Sequence, residues 1–444
     1  MKKIDLPQDV KYIIDALERS GYEAYAVGGC VRDTLLGRQP NDWDITTNAK
    51  PMEIKDIFRR TVDTGIAHGT VTVLIGKNTY EVTTYRIDGE YEDNRHPKQV
   101  EFTGSLIEDL KRRDFTINAM AYNDKVGIVD EFDGIGDMDR RLVRCVGEAK
   151  ERFSEDALRI MRAIRFAAQL GYDIEEMTLT AASDMCGNLS SISTERINTE
   201  LTKLLISPNP GMLREIYRAG ILKVILPELD VLMEIGQNNP HHMYTVGEHI
   251  IRSIEEAEPD RVLRYTMLFH DLGKGATKTT DAEGIDHFHG HAAVSEELAG
   301  NIMRRLHFDN DTMGKVKKLV VWHDAKIEEN DRSVRRAVNK LGEGMFPMLM
   351  KVQRADVLAQ STYKREEKLA KIDRLTEIYE SITRAGDCVT IKELAVNGSD
   401  VIALGVNPGP EVGNILSGLL ELVLEDPKCN TREYLLEKIK EQIG

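Results

Sequence analysis

At 444 residues the chain is too long for one compact core and should divide into two to four domains. Hydrophobic residues make up 41% and charged residues 30%, the balance of a soluble globular protein, and no apolar run is long enough to span a bilayer. A net charge of −15 excludes a protein that coats nucleic acid by bulk attraction, so any RNA contact must use a local basic patch.

The N-terminus, MKKIDLPQDVKYIIDALERSG, reads as a short amphipathic helix without the apolar stretch of a secretory signal. Up to about residue 145, strand-like and helix-like segments alternate. YEAYAVGG, GTVTVLI, YEVTTYRI and KQVEFT are rich in β-branched and aromatic residues and are separated by turns. From Ala149 onward helical periodicity dominates, with ALRIMRAIRFAAQL as a clear amphipathic helix. PNPG and NNPHH punctuate this half. GVNPGPEVGNIL is a Gly/Pro turn into a helix, either a plain helix start or one that offers backbone N–H groups to a phosphate. Five scattered cysteines (Cys30, Cys145, Cys186, Cys388, Cys429) form neither a disulfide framework nor a zinc cluster. The expectation is a cytoplasmic protein with reduced thiols and no membrane partner.

The densest chemistry lies in AVGGCVRDTLLGRQPNDWDITT, residues 26–47. A strand runs into Gly28-Gly29, and a helix follows. That arrangement lets the backbone approach phosphates, with Arg32 adding positive charge. Asp42 and Asp44, placed on a strand, project from one face and present paired carboxylates suited to Mg²⁺. Two such ions can activate an attacking 3′-hydroxyl and stabilise departing pyrophosphate. An Asp-x-Asp pair alone is usually a solvated loop; the glycine pair and nearby basic residues set this one apart. In the second half, nine of the eleven histidines fall between His241 and His323, a clustering that a structural average does not produce.

The head motif and its successors resemble the nucleotidyltransferase superfamily in its bacterial class II form, which contains CCA-adding enzymes and bacterial poly(A) polymerases. The resemblance continues in order through HGTVTV (68–73), EVTTYRIDGEYEDNRHP (81–97), EDLKRRDFTINAMAY (108–122), RFSEDALRIMRAIRFAAQLGY (152–172) and ERINTEL (195–201). It implies that Asp42 and Asp44 hold the catalytic Mg²⁺, with Glu81 as a third carboxylate. Gly28, Gly29, Arg32, Arg112, Arg113, Asp114 and Asn118 would face the triphosphate and ribose. YRIDGEYEDNRHP would be a mobile loop.

An enzyme that adds nucleotides without a nucleic-acid template must read bases with side chains. Cytosine and adenine both present an amino donor beside an unprotonated ring nitrogen. A carboxylate that accepts and a guanidinium that donates fit that edge and clash with uracil or guanine. The resemblance gives this role to Asp156 and Arg159, three apart on a helix and so on one face, with Glu155 orienting them. The bland reading of that spacing is an ordinary surface ion pair. Arg162 follows on the same helix, toward the triphosphate or toward solvent.

His249, His270, Asp271 and Asp356 resemble, in order, the metal ligands of the HD phosphohydrolase superfamily. His291 and His323 are candidates for a second metal or for phosphate contacts, and Lys274 for a phosphate oxygen. Such a nitrogen/oxygen set suits a transition metal such as Mn²⁺ or Ni²⁺ better than Mg²⁺.

The expected architecture is an α+β nucleotidyltransferase head with a mixed β-sheet, followed by all-helical neck, HD and tail domains. The head spans residues 1–145, the base-recognising neck 146–225, the HD domain 226–370 and an RNA-binding tail 371–444. The expected activity adds C, C and A to the tRNA 3′ end from CTP and ATP, with hydrolysis at the HD site as a second activity. The alternatives are a poly(A) polymerase, a CC-only or A-only enzyme, or primarily an HD phosphatase or phosphodiesterase. The sequence sets no oligomeric state.

Overall fold

A computed structural model describes residues 3–88 and 100–443, which divide into two compact units, Met1–Asp230 and Val231–Gly444. In the first unit α1 (Gln8–Arg19) buries Val10, Ile13, Ile14 and Leu17. The i, i+3, i+4, i+7 spacing makes one apolar face, and each such side chain contributes about 1.5–3 kcal/mol on burial. The chain continues through β1 (Ala24–Val27), α2 (Gly29–Leu35), β2 (Ile45–Thr47), α3 (Pro51–Ile57), β3 (Thr61–Gly65), β4 (Thr70–Ile75), β5 (Asn78–Thr84), β6 (Arg86–Asp88), β7 (Val100–Phe102), α4 (Leu106–Lys111), β8 (Ala121–Asn123) and β9 (Gly127–Val129).

Seven strands form one sheet in the order β3-β4-β5-β2-β1-β8-β9. Only β2 and β5 pair in parallel, with Ile45 opposite Val82, so the sheet is mixed as expected. Every residue of β1 is buried, as a central strand covered on both faces requires. β6 and β7 form a separate pair. The charged loop read from residues 85–97 lies, from residue 89 on, outside the described residues.

The unit is completed by α5 (Gly134–Arg140), α6 (Ala149–Glu155), α7 (Leu158–Leu170), α8 (Glu176–Met185) and α9 (Thr194–Leu205). α7 packs on α9 and α6 on α8. A two-residue parallel pair, Leu142–Val143 with Asp173–Ile174, ties the start of this region to the turn after α7.

The second unit is helical apart from the short pair Thr279–Thr280 with Asp286–His287. Its main helices are α10 (Val246–Glu256), α11 (Arg261–Phe269), α12 (His291–Arg305), α13 (Asn310–Trp322), α14 (Asp331–Leu341), α15 (Met345–Ala359), α16 (Arg365–Ala385) and α17 (Pro410–Glu425). The starts of α10, α11, α13 and α14 are capped by Thr245, Asp260, Asp309 and Asn330, whose side chains accept a backbone N–H of the first turn. α10 packs on α11 and α15, and α14 on α16 and α17. GVNPGPEVGNIL is the start of α17, with Pro410 in its first turn. All five cysteines are free, and no described helix is long and apolar enough to cross a membrane.

Candidate functional site

Asp42 and Asp44 do not lie within a strand. They precede β2 in extended chain, and the Val27 N–H donates to the Asp44 carbonyl at 3.0 Å, carrying the β1–β2 ladder one residue further. The strand starts late because only from Ile45 does a buried run of residues pair on both sides. Glu81 lies on β5 beside Val82, the parallel partner of Ile45, which brings it next to Asp44 across the sheet. Asp44, Glu81, Arg112 and Arg113 line one cavity of about 180 Å³ together with Thr70, Thr83 and Arg86. Although Asp44 as a residue is exposed, burial of its carboxylate in the cleft, then the charge of Asp42, pushes its pKa up to about 6. Arg113 opposes the rise and Glu81 adds to it.

The two arginines are held from behind. Asp109, at 0% exposure, accepts from Arg112 Nη2 at 2.7 Å and from Arg113 Nη2 at 3.4 Å. Burial alone would raise the Asp109 pKa, but both guanidinium charges and the Thr46 hydroxyl bring it below the ordinary carboxylate value. Gly28, with φ of +84°, occupies the left-handed region before α2, and a Cβ there would lie 3.0 Å from Arg113 Nη1. The glycine therefore serves close packing against Arg113 as well as the turn. Gly29 opens α2, and Arg32 on that helix donates to Asn118 Oδ1.

Asp114 and Asn118 are brought together. Asp114 Oδ1 accepts from the Phe115 N–H at 2.8 Å and from Asn118 Nδ2 at 3.1 Å. Asp114 Oδ2 accepts twice from Arg162, with Nε at 2.8 Å. All four acceptor positions are thus used by protein donors. Burial would raise the Asp114 pKa, but Arg162, Asn118 and Arg159 overcome it and hold the carboxyl well below its usual range. The Arg32, Arg162 and Arg165 guanidinium carbons lie 4.9, 5.3 and 3.6 Å from the Phe166 ring centre, so an aromatic face supports these cations. Arg165, three residues beyond Arg162 on α7, pairs with the buried Glu200 at 2.6 Å.

Asp156 and Arg159 are not a pair on one helix. Asp156 ends α6 in extended conformation, and α7 begins at Leu158. The break turns the two side chains to different partners. Asp156 Oδ2 pairs with Arg196 of α9 at 2.7 Å. Arg159 pairs with Glu155 and donates to the Arg112 carbonyl at 2.8 Å. Both keep partial access to solvent, with side chains 19% and 11% exposed, so neither is lost to the core. Arg196 was missed in the sequence, although ERINTEL contains it. Asp109 was missed too, although its i, i+3 and i, i+4 spacing to Arg112 and Arg113 was available as a signal.

In the second unit the four HD-like residues converge. His249 Nε2 lies 3.3 Å from Asp271 Oδ2, 3.0 Å from Asp356 Oδ1 and 3.3 Å from His270 Nε2. His291 and His323 meet at 3.2 Å through their Nε2 atoms and lie 3.4 and 3.7 Å from Asp271 Oδ1. Asp271 therefore stands between two histidine pairs. Backbone carbonyls of Met267, Phe288 and Val320 face Nδ1 of His270, His291 and His323, which leaves each Nε2 as the ligand atom. His270 and Asp271 follow the end of α11, His249 comes from α10, and Asp356 from α15. Lys274 Nζ, 2.7 Å from Asp271 Oδ2, also donates to Gln237 at 2.9 Å and sits 3.4 Å from His242. Gln237 and His242 were not anticipated.

Burial disfavours a charged His270, yet Asp271 and Asp356 raise its pKa to about 10. Burial, then the charge of His270, lowers His323 to about 4. The result is a buried set of nitrogen and carboxylate donors pointing at common centres.

Three family models match the chain: the poly A polymerase head domain over residues 24–144, the "Probable RNA and SrmB- binding site of polymerase A" over 171–233, and a tRNA nucleotidyltransferase domain 2 over 277–439. A CCA-adding enzyme of Lactiplantibacillus plantarum is 54% identical over 97% of this chain and 95% of its own. One from Streptococcus mutans is 33% identical over 98% and 97%. Among solved structures, the Bacillus stearothermophilus CCA-adding enzyme in complex with CTP has a TM-score of 0.71 at 29% identity, covering 98% of this chain and 97% of that one. The Thermotoga maritima CCA-adding enzyme complexed with tRNA shares the fold, with a TM-score of 0.60 at 19% identity over 99% and 97%.

Proposed function

Since the chain belongs to the family of CCA-adding enzymes, we propose that the cleft of Asp42, Asp44 and Glu81 faced by Arg112 and Arg113 is its nucleotidyl-transfer site. The chain is a nucleotidyltransferase that adds C, C and A to the 3′ end of tRNA from CTP and ATP. The observation that carries the site is the convergence of Asp44, Glu81, Arg112 and Arg113 on one cavity, where burial of the Asp44 carboxylate, then the charge of Asp42, raises its pKa to about 6 and a cation would relieve the crowding. Oxygen donors of this kind fit a divalent ion, and Mg²⁺ held by Asp42, Asp44 and Glu81 would neutralise charge on the triphosphate and on departing pyrophosphate.

The protein's own groups do the rest. Arg112 and Arg113, anchored by Asp109, offer guanidinium charge to phosphate oxygens. Asp114 positions Arg162 and Asn118, and would have to exchange a protein donor before touching ribose. Asp156 accepts from the amino group of C or A while Arg159 donates to the adjacent ring nitrogen. Arg196 and Glu155 hold these two readers until the base arrives. In this reading residues 1–145 carry the chemistry and 146–225 read the base, while 371–444 bind RNA. The test is tRNA lacking its CCA end, incubated with each labelled NTP singly and together. Completion needing both CTP and ATP and stopping after A is the expected result. Continued A addition, or arrest after CC, would replace it with one of the alternatives.

A second reading concerns residues 226–370 and rests on the convergence of His249, His270, Asp271 and Asp356. Asp271 Oδ2 is buried, with the Lys274 ammonium at 2.7 Å and the Nε2 atoms of His249 and His270 both at 3.3 Å. A buried carboxylate among converging ring nitrogens fits a metal centre. A transition metal such as Mn²⁺ or Ni²⁺ held there would supply Lewis acidity for phosphoester hydrolysis. Lys274 and His242 face the cavity where a phosphate would sit. The expected activity opens a 2′,3′-cyclic phosphate or releases phosphate from a nucleotide. Protein that purifies without transition metal and releases nothing across a panel of Mn²⁺, Ni²⁺, Co²⁺ and Zn²⁺ would mark the domain as a scaffold.

A further inference from the structure

Three neighbouring cavities of the second unit share lining residues. One of about 430 Å³ lies on the metal-type cluster, at Asp271, His291 and His323. A second, of about 560 Å³, shares His323, Asp356 and Lys326 with it. The third, of about 640 Å³, shares Lys326 and Ile327 with the second and lies along α14 beside Trp322.

The chemistry changes along this path. Nitrogen and carboxylate ligands line one end. The middle chamber has an apolar wall of Ile327, Val357, Ile372 and Leu375, with Lys368 and Lys371 alongside. The far cavity carries Arg332, Arg336 and Lys340, spaced i, i+4, i+8 and therefore on one helix face. Two features of this row point to a visiting anion. Lys326 and Lys340 have no ion-pair partner among the described residues. Arg336 Nε is buried and donates to no acceptor among them. Arg332 pairs with Glu425 and Arg336 with Glu421 and Glu425, and Glu328 lines the same cavity, so the groove is only partly neutralised from within. A row of cations on a chain of net charge −15 is not the average surface. From Arg332 to Lys340 the helix rises roughly 12 Å. That length suits a polyanion better than a single phosphate.

We propose that the HD-type site takes the end of a single-stranded oligonucleotide rather than a free mononucleotide. The terminal phosphoester sits at the histidine/aspartate cluster and the last base against the apolar wall. The preceding phosphates lie on Lys326 and then on Arg332, Arg336 and Lys340. Trp322 offers a ring on which a base can stack, which favours nucleic acid over an acidic peptide. The proposal rests on the hydrolase reading of this site for its chemistry. In that step the oxygen of water joins phosphorus, the bond from phosphorus to a ribose oxygen breaks, and that ribose oxygen takes up a proton.

The test uses the full chain and two probes, adenosine 2′,3′-cyclic phosphate and a pentanucleotide ending in the same group. With Mn²⁺ present, KM for the pentanucleotide should be at least about tenfold lower. Arg332→Ala/Lys340→Ala should erase most of that advantage while the mononucleotide KM moves less than about twofold, and Arg332→Lys/Lys340→Arg should restore it. In metal-free protein, fluorescence anisotropy of the labelled pentanucleotide gives a second readout. Loss of two phosphate contacts should reduce the log–log salt slope of binding by about 1.4. Equal KM values with an unchanged slope would overturn the channel and leave the hydrolase reading standing. A reduced slope with neither probe hydrolysed would support the channel and overturn the hydrolase.

Discussion

A carboxylate that is buried and crowded by others ionises reluctantly, and Asp44 carries that mark at the head site. Asp44→Ala or Asp42→Ala should lower incorporation of labelled CTP into tRNA lacking CCA by at least about a hundredfold, since metal-assisted charge stabilisation is worth several kcal/mol. Melting temperature and tRNA binding should stay near wild type, and substantial residual incorporation would refute the assignment. Asp156, proposed to read the base, is held by a different contact from the one the spacing suggested. Because Asp156 pairs with Arg196, Arg196→Ala should relax selection in the same direction as Asp156→Ala. Both should raise U or G misincorporation in single-nucleotide assays with all four NTPs. An unchanged order of preference in both would remove the reading role.

Asp109 and Asp114 set the acid limit of the first unit. Their folded pKa values lie below the unfolded value of about 3.9, so the stability they contribute is complete above that pH. It is lost as pH falls below about 4 toward the folded values. Thermal melting between pH 3 and 6 should show that loss, and Asp114→Asn should flatten it. That substitution should cost about 2–3 kcal/mol at neutral pH, less than for a sealed pair because the Arg162 side chain remains 34% exposed.

At the scale of elements, short connections decide where the chemistry points. The turn after α11 carries His270 and Asp271 and ends at Gly273, packed against the start of α12. A Cβ on Gly273 would meet the His291 carbonyl at 2.3 Å and the Ser295 nitrogen at 2.8 Å. Backbone cannot yield there without moving Asp271 or His291. Gly273→Ala should therefore destabilise the second unit by about 1–3 kcal/mol. It should also lower Mn²⁺ or Ni²⁺ uptake several-fold, read by elemental analysis of the purified protein, while CCA addition persists. Full metal occupancy in the variant would show that the turn has slack. The break between α6 and α7 acts in the same way at the other site. A continuous helix would have set Asp156 beside Arg159, and the extended Asp156 sends the two apart.

At the scale of the molecule, the two sites belong to separate compact units and should fail separately. His270→Gln/Asp271→Asn should lose bound transition metal and phosphoester hydrolysis but keep CCA addition. Asp42→Ala should do the reverse. Loss of both activities in a variant that still folds would mean that the sites are coupled. Much of this was legible in the order of residues. Segments rich in β-branched and aromatic residues predicted β1, β4, β5 with β6, and β7, because such side chains pack well on a pleated surface, whereas β3, β8 and β9 were not anticipated. The glycine pair, the Asp-x-Asp and the ordered motifs pointed to the head chemistry, and the HD resemblance of His249, His270, Asp271 and Asp356 implied a cluster that the fold does assemble. The sequence by itself thus determined the kinds of element, the chemical types at each site and the family they imply. Only the tertiary structure decided which distant groups meet: Arg196 on Asp156, Asp114 closed by Arg162, Asp271 between two histidine pairs. Local pattern encodes what a segment can bury, whereas a contact between distant residues depends on how helix breaks and strand order place them, and no spacing along the chain records that.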